Sequence, residues 1–199
     1  MKNRNHIVAN VCSGIIIYTL SDFIIGVESN FSLPSTYFKV NISIIQNFLI
    51  KLREYLFGYD DFYLLICLLL FLLGSVLPDI DSPTSVLGRY IHLPIEHRTW
   101  THTAYALIPL VGLSVLFKPC IWLFLGYIGH LFWDSFSRGG ICWFNPVTGY
   151  MLYPNGAKIK KGHYKYLYRV GDISETIIVF LLILTSGFLF YNWIKISNL

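Results

Sequence analysis

The chain has 199 residues, of which 55% are hydrophobic and 13% charged, against roughly a quarter charged in a soluble domain. With a mean hydropathy of +0.57, that balance excludes a water-soluble globule as the starting expectation. The net charge of +4 comes from cations in the loops between apolar runs, so these read as topology signals and no nucleic-acid partner is expected.

Apolar runs lie at 7–27, 62–77, 103–117, 120–137 and 173–194. The first follows Lys2 and Arg4 and ends without a small-x-small cleavage site, so it reads as a retained signal anchor. It and the last run are long enough to cross about 30 Å of hydrocarbon. The middle three are shorter; they sit half-buried, fold as a re-entrant hairpin at Lys118–Pro119, or extend into the interfaces. Between the first two runs, 41–57 has apolar residues at helical spacing with Lys51, Arg53 and Glu54 interleaved. That pattern fits an amphipathic helix lying on the membrane surface or packed on the bundle.

No linker, repeat or low-complexity tract divides the chain, so residues 1–199 read as one domain. Cys12, Cys67, Cys120 and Cys142 lack any C-x-x-C spacing, which argues against a disulfide framework or a thiolate zinc site. The expected fold is all-α: a multi-pass helical membrane bundle of about five spans. If the spans alternate, segments 1–6, 78–102 and 138–172 share one side and carry ten of the 15 Lys+Arg. By the positive-inside rule that side is cytoplasmic.

The ionisable residues at the ends of the apolar runs fall on that same side. His6 precedes the first run, Asp79 and Asp81 follow the second, and His97 and His102 lead into the third. His130 and Asp134 end the fourth, and Glu175 begins the fifth. In Leu77-Pro78-Asp79-Ile80-Asp81 the proline stops a helix and leaves two carboxylates able to bind one cation or bridge two. The other reading is a helix-stop turn with solvated aspartates.

His130 and Asp134, four apart, share one helical face and can chelate together. His97 and His102 are five apart, about 140° round a helix, so one must precede the helix start. Thr99 or Thr101 capping that start puts His102 in the first turn as a ligand. His97 then stands as a ligand, an outer-sphere group or an acid–base group. Glu175 reads equally as a ligand or as the carboxylate of an N-terminal capping box with Asp172, and His6 as a ligand or a simple span-edge residue. Eight candidates exceed the three or four protein ligands of one zinc, which points to two or more ions.

The blocks LPDIDSPTSVLGR (77–89), HRTWTH (97–102), GYIGHLFWDSFSRGGICWFNP (126–146) and RVGDISE (169–175) together resemble the YdjM-like, LexA-regulated membrane-bound metal-dependent hydrolases. That family is remotely similar to the zinc-dependent phospholipase C and single-strand nuclease superfamily. The resemblance covers about residues 6–180 and implies a metal site of His6, Asp79, Asp81, His102, His130, Asp134 and Glu175. His97 and Asp79 are the candidates for the chemistry itself. Asn5 stands where relatives often have glycine, and 28–61 is a longer insertion than the pattern leads one to expect.

The implied function is hydrolysis of a phosphoester, a phospholipid or a lipid-linked phosphate, by a water acidified by divalent metal. Mixed imidazole and carboxylate ligands suit zinc, with manganese or iron as alternatives. Arg89, Arg98 and Arg138 are candidates to steady an anionic phosphate, and each reads equally as a positive-inside anchor. The implied location is the bacterial inner membrane, with the bilayer as partner and the site on the cytoplasmic side. A lipid-phosphate phosphatase would need a P-S-G-H block, which is missing. A transporter would place ligands near the midplane. A non-catalytic membrane protein with a structural metal uses the same ligand types and stands as the alternative.

Overall fold

A computed structural model describes residues 3–26, 47–52, 54–56, 61–91, 93, 95, 97–137, 140–141, 143–144, 150–152, 158–160 and 171–197. Most of the 28–61 insertion, Arg138 and residues 161–170 lie outside this set. Of the expected amphipathic stretch at 41–57, residues 47–52 and 54–56 are described, and they are helical.

Each apolar run folds as a helix. They are α1 (Asn3–Gly26), α2 (Asp61–Val76), α3 (Leu107–Leu116), α4 (Cys120–Ser135) and α5 (Ile173–Ser197). The third run starts later than its composition suggests, because a 3₁₀ turn at Ala104–Ala106 precedes α3. Pro119 takes the N-cap position of α4, a place where its missing N–H costs nothing. The helical architecture carries one small addition, an antiparallel ribbon of Tyr150–Leu152 and Lys158–Lys160 with Met151 opposite Ile159.

Among the described residues two stretches are long and apolar enough to cross a bilayer, Phe62–Asp81 and Ile173–Asn192. The second run therefore reaches span length by continuing through the 3₁₀ turn at Leu77–Asp81. Asn5–Leu20 and Ala104–Leu116 are apolar but shorter. Of the first run, expected to be a full span, the described residues show the apolar helix Asn5–Leu20.

α2 and α4 pack along their lengths, α1 lies on α5, and α3 lies on α4. Small residues permit the closest approach. A Cβ on Gly126 would stand 2.2 Å from the Phe71 carbonyl, and one on Gly74 would stand 2.2 Å from that of Leu123. Helices in lipid gain little from the hydrophobic effect and associate through such close packing. Ala9, Trp133 and Val179 form one buried apolar cluster, joining α1, α4 and α5. Tyr127, Leu131 and Ile141 form another beside the site.

The distribution of side chains is inverted relative to a soluble protein. His6, Asn10, Ser75, Asp79, Asp81, His102, His130, Asp134 and Glu175 are buried, whereas Phe180, Leu181, Leu184 and Phe188 of α5 are exposed. Only 33% of the Phe62–Asp81 stretch and 17% of Ile173–Asn192 is buried within the protein. A core helix of a soluble domain would be mostly covered, so these apolar surfaces suit lipid.

A candidate metal centre at the helix ends

The site is assembled from helix ends. His6 lies in the first turns of α1, Asp79 and Asp81 in the 3₁₀ turn that ends α2, and His130 and Asp134 in the last turns of α4. His102 sits in a separate 3₁₀ turn, Trp100–His102, with His97 just before it. His97 precedes the turn as the spacing requires, but His102 lies in this separate turn and not in the first turn of α3, and the expected capping is absent too: Thr99 holds the N-cap position without a side-chain cap bond. Thr101 instead gives its hydroxyl hydrogen to Asp81. A buried carboxylate is a stronger acceptor than anything the short turn offers.

Two groups have ligand atoms all within 4.8 Å of one another: His6, His130 and Asp134; and Asp79, His97 and His102. The groups are contiguous. His102 Nε2 lies 3.4 Å from Asp79 Oδ1 and 3.6 Å from Asp134 Oδ2, and His130 Nε2 lies 3.5 and 3.9 Å from the same two oxygens. Ligands held tetrahedrally at zinc–ligand distances stand about 3.4 Å apart. On its other oxygen, Asp134 meets His6 Nε2 at 3.2 Å, and the His6 ring stacks on that of His130 with centroids 3.8 Å apart.

The donor set fits a divalent cation. Among the described residues, His6 Nδ1, His102 Nε2 and His130 Nε2 are buried and have no hydrogen-bond partner, which is costly for a polar atom unless something else takes its lone pair. For His130 the tautomer is determined. Its Nδ1 faces the Ser75 carbonyl at 2.8 Å, and a carbonyl only accepts, so Nδ1 carries the hydrogen and a neutral ring turns its Nε2 lone pair into the site.

His102 is buried, which lowers its pKa, but the facing Asp79 and Asp81, with the charge of Asp134, outweigh that and raise it to about 9. A cation in this place would take over the role of the proton.

Asp81 and Glu175 are placed differently. Asp81 Oδ1 accepts from His97 Nδ1 at 2.7 Å, and Oδ2 accepts from Thr101 and from the Arg98 main-chain N–H. It stands behind His97 and His102, on the Nδ1 side of His102 at 3.5 Å. Glu175 accepts from Asn5 Nδ2 and from the Gly171 N–H, both at 2.6 Å. It engages the N–H of Gly171, one residue ahead of the Asp172 N–H that a capping box would use, and it also fastens α1 to α5 next to His6. Neither falls within the two ligand groups.

Two contributors escaped the sequence reading, and a third, Arg98, was read in another role. The Ser75 main chain carries no side-chain signal. Asn10 donates to Ser75 Oγ at 3.0 Å and to the Gly126 carbonyl at 3.1 Å, and its signal was a lone amide four residues after His6 on the same helical face. Arg98 was considered for phosphate. Its guanidinium instead pairs with Asp134 Oδ2 at 3.1 Å. Its φ of 66° lies where a non-glycine residue is disfavoured by about 1–2 kcal/mol.

No curated protein and no solved structure matches the chain. A family model described as YdjM inner membrane protein matches residues 49–199. The match takes in Asp79, Asp81, His97, His102, His130, Asp134 and Glu175 and leaves out α1 with His6. Covering well over half of the chain, it identifies this protein as a member of the YdjM inner membrane protein family.

Proposed function

We propose that this protein is a membrane-bound, metal-dependent hydrolase of phosphoesters, acting on a phospholipid or a lipid-linked phosphate from the cytoplasmic side of the inner membrane. The observation that carries the reading is the pair of buried imidazole nitrogens without hydrogen-bond partners, Nε2 of His102 and of His130, which converge with Asp79 and Asp134 at ligand spacing. His6, His130 and Asp134 would hold one cation and Asp79 and His102 a second, zinc best matching the donors and manganese or iron following. Bound there, divalent cations acidify water and offer positive charge to a phosphoryl group.

The chain's own residues supply the rest. Asp81 orients His97 through a 2.7 Å contact, and the His97 side chain is 40% exposed, so it is reachable from outside while the ligands beneath it are buried. That opening favours catalysis over the alternative of a closed, structural metal site. His97 is the group placed to hold or pass a proton at the mouth, and burial of Asp79 and Asp134 excludes water from the site's floor.

The test uses metal-loaded inverted membrane vesicles and intact spheroplasts, each offered a water-soluble phosphodiester and a short-chain phospholipid. Hydrolysis in inverted vesicles alone, abolished by Asp79→Asn, is expected. Metal bound without turnover of either substrate would leave the structural-site reading in its place.

A further inference from the structure

Arg98 joins the two ligand groups. Its main-chain N–H donates to Asp81 Oδ2 at 3.2 Å, behind His97 and His102. Its side chain runs the other way: Nη2 reaches Asp134 Oδ2 at 3.1 Å, while Nη1 donates to Ser137 Oγ at 3.2 Å and to the Gly140 carbonyl at 3.3 Å. Among the described residues it is the one non-glycine with a positive φ. The Arg98 side chain is only 12% exposed, so it is neither a surface anchor nor a free phosphate hook.

We propose that Arg98 is a positioning residue that sets the distance between the two cation positions, an inference that rests on the metal-centre reading above. A carboxylate oxygen has two lone pairs, so Asp134 Oδ2 can accept from the guanidinium and still face the cations. An arginine cannot give up its charge and therefore holds that oxygen in every state of the site. The Ser137 and Gly140 contacts tie the chain just beyond α4 to the same guanidinium. The turn carrying His102 and the helix end carrying Asp134 are thereby fixed to one residue. A lysine, with a point charge and no planar fork, cannot serve three acceptors on this geometry.

The experiment is a titration of the full chain in detergent with Zn²⁺ or Mn²⁺, comparing wild type with Arg98→Lys and Arg98→Gly, the glycine variant with and without methylguanidinium. Glycine adopts the positive φ freely and removes only the side chain. The expected result is unchanged stoichiometry with affinity reduced about 10–100-fold in both variants, the usual cost of removing a group that orients metal ligands. Methylguanidinium restores most of the loss in Arg98→Gly. Wild-type affinity in either monodisperse variant, or a weakened Arg98→Gly that methylguanidinium does not improve, would overturn the proposal. If the glycine variant does not fold, the lysine variant decides alone. Failure of the wild type to bind any metal overturns the metal-centre reading and this inference together, whereas normal binding in the variants overturns only the role of Arg98.

Discussion

The end of α2 prepares a ligand: where the α-helix gives way to the 3₁₀ turn at Leu77, the Ser75 carbonyl accepts from His130 Nδ1 and so aims Nε2 of that ring into the site. His102 carries the site's pH response. Its folded pKa of about 9 lies above the ordinary value, so the metal-free protein gains stability from the protonated ring below about pH 6.5 and loses it as pH rises through about 9. A metal needs the neutral ring. Its apparent affinity should therefore climb by about tenfold per pH unit across that window, one displaced proton per ion at this residue. Calorimetry in two buffers of different ionisation enthalpy counts the proton, and a flat affinity from pH 6.5 to 9 would contradict the assignment. The sequence supplied the residue types at this scale because an ionisable group at the end of an apolar run is conspicuous. It did not separate the parts of Asp79 and Asp81, since two carboxylates two positions apart differ only in what the fold sets against each, and it left Glu175 open between ligand and cap for the same reason.

At the level of elements, hydropathy located the five helices because lipid-facing surfaces need continuous apolar runs. Their ends were less legible, being governed by 3₁₀ turns such as Leu77–Asp81 and Ala104–Ala106, which composition does not mark. The crossing of α2 and α4 was not legible either. Gly74 and Gly126 look like weak points in a helix until the partner backbone is placed against them. That crossing keeps Asp79 and His130 in register, so filling it should damage the site at a distance. Gly126→Ala places a methyl group against the Phe71 carbonyl and should cost about 1–3 kcal/mol, seen as a lower melting temperature in detergent together with weaker metal binding. An unchanged melting temperature would show that the helices are not held this closely.

For the molecule as a whole, the exposed apolar stretches of α2 and α5 suit a lipid surround, and among the described residues the buried His and Asp side chains gather where helices begin and end. α1 and α5 begin there and α2 and α4 end there, so up-and-down connectivity alone gathers residues far apart in the chain. This was the most legible feature of all, since counting runs and noting which ends carry His, Asp and Glu gives the grouping without coordinates. The central claim is that the gathered residues form one shared metal centre. Elemental analysis of the purified protein in detergent, set beside His130→Ala and Asp134→Asn, tests it most directly. About two divalent ions per chain, lost from both variants while each remains folded, is the predicted result. A wild type that holds no metal after loading, or folded variants that hold as much as the wild type, would contradict it.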